Sequence, residues 1–133
     1  MAKKNGEFLK KLLATFRVEA DEHLKAMSSS LLELEKAPAG ARRSELVETI
    51  FREAHSLKGA ARAVNFADIE SVCQSLESVF AGMKSGAETS AQLFDLLHQT
   101  LDALAGLLSP EPAAAKPALA ALIRRLEGAM TAP

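Results

Sequence analysis

Histidine, lysine, glycine and arginine stand at positions 55, 58, 59 and 62 of one short run, Ile50-Phe51-Arg52-Glu53-Ala54-His55-Ser56-Leu57-Lys58-Gly59-Ala60-Ala61-Arg62. Neutral imidazole is a nucleophile near physiological pH. Leu46, Ile50, Ala54, Leu57, Ala61 and Val64 recur at three- and four-residue intervals, which draws one apolar stripe along a helix. At about 100° per residue, His55 falls ~130° from the centre of that stripe, so its ring faces outward. Lys58 and Gly59 follow one turn up on the same side, and Arg62 one turn beyond. A glycine inside a helix costs roughly 1 kcal/mol relative to alanine. Clearance is one reason to accept that cost, because it leaves no side chain where something large must approach the imidazole. A nucleophile with open space above it and two cations beside it suits a travelling phosphoryl group. On spacing alone an idle, solvated histidine fits equally well, and the glycine tips the reading toward function.

Four amphipathic helices and a shorter fifth must position these residues. Leu9, Leu13, Phe16, Ala20, Leu24, Met27, Leu31 and Leu34 keep helical spacing from Glu7 to Lys36, with Ser28-Ser29-Ser30 as a soft spot and Pro38 and Gly40 as the stop. The His55 helix starts near Arg42 to Ser44 and ends near Val64. Asn65 with Asp68 reads as the cap of a third helix that buries Ile69, Val72, Cys73, Leu76, Val79, Phe80 and Met83 and stops at Ser85-Gly86. Thr89 with Gln92 is a second capping box, before a helix that buries Leu93, Phe94, Leu97, Leu101, Leu104 and Leu108. After a Pro/Ala linker over 110–116, Pro117 opens a fifth helix over about 117–130, with Leu119, Leu122, Ile123, Leu126 and Met130 on one face. Short loops between such helices specify an all-α, antiparallel up-down four-helix bundle over about 7–109, with the additional C-terminal helix packed beside it. The whole of 1–133 reads as one domain, and its end on Thr131-Ala132-Pro133 reads as the start of a linker in a longer protein.

Composition narrows the function classes. Aromatics are scarce, with six Phe and neither Trp nor Tyr, and the abundance of Leu, Ala, Glu and Lys favours helix. A formal charge of −1 exerts no pull toward nucleic acid or anionic membrane. No run approaches the ~18 apolar residues of a membrane span, and Lys3-Lys4 leads into an amphipathic pattern rather than a signal peptide. A cytoplasmic, monomeric domain is expected. The single cysteine, Cys73, lies on an apolar face and reads as a small buried hydrophobe. His23 and His98 flank apolar stripes and read as boundary residues.

Ala54 to Ala61, preceded by Ile50-Phe51-Arg52 and followed by Asn65-Phe66, resembles the histidine phosphotransfer (HPt) domain that opens CheA-type chemotaxis histidine kinases. Phe16 to Leu24 and Leu31 to Glu35 are similar to that family's opening segment, and the resemblance covers about 8–108. It implies that His55 is the phosphorylated histidine. Lys58 would neutralise phosphoryl charge, and Gly59 would leave room for the phosphate. It further implies that Glu77 hydrogen-bonds the ring nitrogen that does not carry the phosphate. Gln74 stands where family members often have a second histidine, so one contact near the imidazole lacks a titratable partner. A carboxylate on the far ring nitrogen fixes the tautomer, aims the ring and supports developing positive charge. Arg62 is open between a second phosphate-facing cation and a plain surface charge. Phe51 is open between partner docking and core-edge packing, and Ser56 joins it as a docking candidate.

The sequence has no Gly-x-x-x-x-Gly-Lys-Ser loop and no acidic cluster for Mg²⁺, so no cofactor or metal is expected in this domain. ATP and Mg²⁺ belong on partners: a histidine kinase catalytic domain, in cis or in trans, as donor, and CheY-like or CheB-like response regulators as acceptors. Two other classes compete. One is a helical interaction bundle without phosphotransfer. The other, a metal-carboxylate bundle, needs two Glu-x-x-His pairs, and the chain offers only Asp95-x-x-His98.

Overall fold

The computed structural model describes residues 2–36, 39–109 and 116–131, and every regular element in them is a helix. The expected stop at Pro38, the linker over 110–115, the terminal 132–133 and the side chains of Pro117 and Met130 lie outside the described parts. The helices are α1 (Ala2–Glu35), α2 (Gly40–Ala63), α3 (Ala67–Lys84), α4 (Ala91–Leu107) and α5 (Lys116–Thr131). The first four helices run alternately up and down. Among the described residues α2 packs against α1 and α3 only, α4 closes the bundle against α1, and α5 lies along both α3 and α4. This is the up-down bundle with a fifth helix that the apolar periodicity specifies.

The stripes read from the sequence become the core. Phe16, Ala20, Leu24, Met27, Leu31 and Leu34 of α1 meet Leu46, Ile50, Ala54, Leu57 and Ala61 of α2, together with the apolar faces of α3 and α4. Val47, Leu96, Thr100 and Leu107 are buried as well, so the α2 and α4 stripes are wider than three- and four-residue spacing alone draws them. Thr100 satisfies its hydroxyl inside the helix by donating to the Leu96 carbonyl at 2.7 Å. Leu119, Leu122 and Leu126 bring α5 into the same core. The start of α1 departs from expectation. Leu9 is 49% exposed and Phe8 68%, and the buried face begins at Phe16. α1 continues through Ser28-Ser29-Ser30 without a break.

Helix ends correct three expectations. α2 begins at Gly40, whose φ of +63° is in the left-handed region. Asn65 does not cap α3. It takes φ 58° and terminates α2 instead, with its N–H on the Arg62 carbonyl at 3.1 Å and the next N–H, of Phe66, on that of Ala61 at 2.8 Å. This is the paired termination bond of a left-handed helix stop, and asparagine enters that region more readily than other non-glycine residues. Phe66 then turns inward against Phe16, with ring centroids 6.0 Å apart. Gly86 ends α3 in the same way at φ 94°, with Ala87 N–H on the Gly82 carbonyl at 3.0 Å. Ser90, not Thr89, caps α4, its hydroxyl accepting from the Leu93 N–H at 3.1 Å. The serine lies one residue closer to the apolar run, within reach of the free amide.

Asn65→Val forces a β-branched residue into the left-handed region and is expected to lower unfolding free energy by about 1–2 kcal/mol in urea, with Asn65→Gly close to wild type. Leu126→Ala is expected to cost about 2–5 kcal/mol while preserving one cooperative transition; a separate early transition would mean that α5 is not part of the core.

Candidate functional site

α2 and α3 meet in one antiparallel register, and a row of polar pairs crosses the seam. Lys84 pairs with Glu48 at one end, and Arg62 Nε donates to Glu70 Oε2 at 2.7 Å at the other. His55, Lys58, Gln74 and Glu77 lie between them. His55 and Lys58 are one turn apart on α2, and Gln74 and Glu77 are one turn apart on α3. The Schellman-type turn through Asn65 sets where α3 starts relative to α2, so it also sets this register.

The centre of the group is the Glu77 carboxylate. Its side chain is 8% exposed, whereas the imidazole it meets is 68% exposed. Oε1 lies 2.5 Å from His55 Nδ1, and Oε2 accepts from Lys58 Nζ at 2.5 Å. Lys58 Nζ also donates to Gln74 Oε1 at 3.1 Å. With an ammonium on its other oxygen, the carboxylate acts as an acceptor, so Nδ1 carries the ring proton. The lone pair therefore stands on Nε2, at the open end of the ring. A buried carboxylate is tolerated only when paired and hydrogen-bonded, and Glu77 has both. A Cβ built at Gly59 meets nothing within 4 Å, so packing supplies no reason for that glycine and the space beside the imidazole is open.

Four of the residues singled out in the sequence come together here: His55, Lys58, Gln74 and Glu77. Lys58 points to the carboxylate and the Gln74 amide, rather than standing alone as a free cation. Arg62 does not join the group, because Glu70 holds its guanidinium one turn further along the seam. Phe51 is half-buried against the core, and the Lys84 ammonium lies 4.1 Å from its ring centroid. Ser56 is exposed. Sequence reasoning missed the Gln74–Lys58 bond and the Arg62–Glu70 pair. The turn-spaced Gln74 and Glu77 were a legible sign of the first, but Glu70 became meaningful only once the register was known.

The other two histidines also meet carboxylates. His23 Nδ1 lies 2.5 Å from Glu53 Oε2 across α1 and α2, and His98 Nε2 lies 2.8 Å from Glu35 Oε1 across α1 and α4. Both rings are largely covered, at 27% and 31% exposure. Neither carboxylate has a lysine on its second oxygen among the described residues. Within those residues no group of three or more His, Cys, Asp or Glu side chains is placed to hold a metal ion, and no helix is long and apolar enough to cross a membrane.

Cys73 lies immediately before Gln74, with its thiol in the core. Burial, reinforced by the charge of Glu77, pushes that thiol up to about 12. Thiolate is the reactive form. Iodoacetamide at about pH 8 is therefore expected to leave Cys73 unmodified in the folded protein and to alkylate it rapidly in denaturant, as read by mass spectrometry.

The model of the family described as "Hpt domain" matches residues 11–107. Similar proteins include the chemotaxis protein CheA of Bacillus subtilis, 36% identical over 93 residues, which are 69% of this chain and 13% of that protein. CheA of Halobacterium salinarum is 31% identical over 97 residues, 72% of this chain and 14% of that protein. The chain thus spans only about one seventh of the length of these relatives. Among solved structures, the phosphorylated P1 domain of CheA3 from R. sphaeroides, in complex with CheY6, superposes with a TM-score of 0.76. It shares 21% identity, and the match covers 90% of this chain and 95% of that one. At that identity the likeness speaks for the fold.

Proposed function

The chain belongs to the Hpt domain family, and on that premise we propose that His55 is a phosphoryl carrier in a CheA-type chemotaxis pathway. The observation that carries the reading is the asymmetric imidazole. Nδ1 is clamped by a buried carboxylate, and Nε2 faces solvent beside an unfilled glycine position.

In the forward step the Nε2 lone pair attacks the γ-phosphorus of ATP presented by a histidine kinase catalytic domain. A P–N bond forms, the bond from phosphorus to the β,γ-bridging oxygen breaks, and ADP leaves with that electron pair. Positive charge develops on the ring, and the Glu77 carboxylate, already on the Nδ1 proton, stabilises it without reorganising. The same clamp prevents Nδ1 from competing as a nucleophile. In the second step a carboxylate oxygen of a receiver aspartate attacks phosphorus, the P–N bond breaks, and Nε2 recovers its lone pair. ATP and Mg²⁺ are carried by the partners, a kinase domain as donor and CheY-like or CheB-like regulators as acceptors, in the cytoplasm. Gly59 keeps the approach open for both, and an exposed ring on an edge helix is accessible to two large partners in turn. Phe51 and Ser56, on the same helix as His55, are candidate contacts for them.

The test is acid-labile ³²P incorporation from ATP in the presence of an active CheA-type catalytic domain. His55→Gln is expected to abolish labelling with helicity and melting temperature nearly unchanged, since an exposed ring carries little packing energy. Labelling retained in that variant would place the acceptor elsewhere, and no labelling of the wild type would leave a helical interaction bundle. Glu77→Ala is expected to slow labelling roughly ten- to hundredfold, the scale on which an imidazole's outer hydrogen-bond partner acts. Gly59→Leu is expected to slow transfer to the receiver despite its better helix propensity; wild-type kinetics would contradict the clearance argument.

A further inference from the structure

We infer that the start of α1 is a self-association surface, on which a second copy of this chain packs its own α1 antiparallel. The apolar face that α1 turns to the core does not stop where the bundle stops. Phe16 is its first buried residue, and its ring lies beside that of Phe66, in the turn from α2 to α3. α1 extends about four turns, roughly 20 Å, beyond that level. Phe8, Leu9 and Leu12 are exposed there, and Leu13 is half-buried. At about 100° per residue these four side chains keep to the side of Phe16 and Ala20. Lys10 and Lys11, both exposed, fall ~130° to either side of their mean direction.

The shape of this face selects a narrow occupant. It looks to the side on which α2 and α3 stand, so the end of the bundle rises beside it as a step. A flat lipid surface meets the bundle end before it reaches Leu13. A single helix, about 10 Å across, fits into the step, and the projecting α1 of a second copy is such a helix with a matching apolar face. In a two-fold pair every contact is made twice, so each copy removes the same four apolar side chains from water. Charge selects the second copy and sets its direction. Residues 1–17 carry five lysines and arginines against one glutamate, a net +4, while the rest of the chain nets −5. Beside Phe66 the bundle end presents Asp68 and Glu70 in the first turn of α3. A parallel pair would align two basic segments along their length. An antiparallel pair brings the basic start of each α1 to the acidic bundle end of the other, and leaves Lys10 and Lys11 turned outward to water. The monomer expected from the sequence is then the dilute form only.

Sedimentation equilibrium of the 133-residue chain is expected to show a monomer–dimer equilibrium that weakens as salt rises, since the charges it pairs are screened. Leu9→Ser combined with Leu12→Ser is expected to raise the dimer Kd about a hundredfold or more. The melting temperature of the dilute monomer should hardly move, because both side chains are exposed. Direction is read by mixing ¹⁵N-labelled chain with unlabelled Glu7→Cys chain carrying a nitroxide, with Cys73 in the core and out of the reagent's reach. Amides of the first turn of α3 in the ¹⁵N-labelled copy are expected to broaden. The inference is overturned if the chain stays monomeric at about millimolar concentration, if the serine pair leaves the dimer intact, or if those amides stay sharp. A monomer that instead sediments with phosphatidylglycerol vesicles would give the face to a membrane surface and overturn it equally.

Discussion

A carboxylate set into the wall of a helical bundle has to be answered by its neighbours, and in this protein the answer organises the site. Glu77 extends from the inner face of α3, in a stretch where Cys73, Leu76 and Phe80 are all in the core. Unpaired, it would cost several kcal/mol or lose its charge. Two side chains of α2, one turn apart, complete it. That requirement fixes the relative height of α2 and α3 to within about a turn, because a slip of one turn would leave at most one of His55 and Lys58 at the carboxylate. The apolar contacts between these helices are less discriminating, since leucine and alanine faces pack in more than one register.

The three histidines of the chain make this concrete, because each of them meets a glutamate. A His–Glu hydrogen bond is therefore not what distinguishes the site. What differs is the order of burial. At positions 23 and 98 ring and carboxylate are covered to similar extents, which is the arrangement of an ordinary inter-helix tie. At position 55 the carboxylate is in the wall and the ring is in the water. One ring nitrogen is thereby committed to the protein and the other is left to whatever approaches. Lys58 completes the contrast by balancing charge on the buried side only.

Much of this was legible in the sequence. Period-3.6 spacing identified five helices and nearly all of their core faces, because leucine and alanine at regular intervals admit few other packings. The outward direction of His55 and the oddness of Gly59 followed from the same arithmetic. The failures have local causes. Asn65 and Thr89 were read as helix starts because a polar residue three positions before an acid or amide is a start signal, yet Asn65 is as suited to stopping a helix in the left-handed region, and Ser90 sat one step nearer to α4. Leu9 fitted the α1 stripe in period but ran beyond the helices that cover it. Arg62 stayed open between a second cation for phosphate and a surface charge because its α3 partner, Glu70, lies eight residues away, across a turn whose geometry the pattern did not contain.

α2 touches α1 and α3 and leaves α4 and α5 to close the other side. This separation sets the helix that carries His55 one helix removed from α4 and α5. A packing change in α4 or α5 reaches the imidazole only at second hand, through α1 or through the α3 helix that carries Glu77. Substitutions that remodel or extend the half formed by α4 and α5 therefore leave His55 with the same two neighbouring helices, α1 and α3.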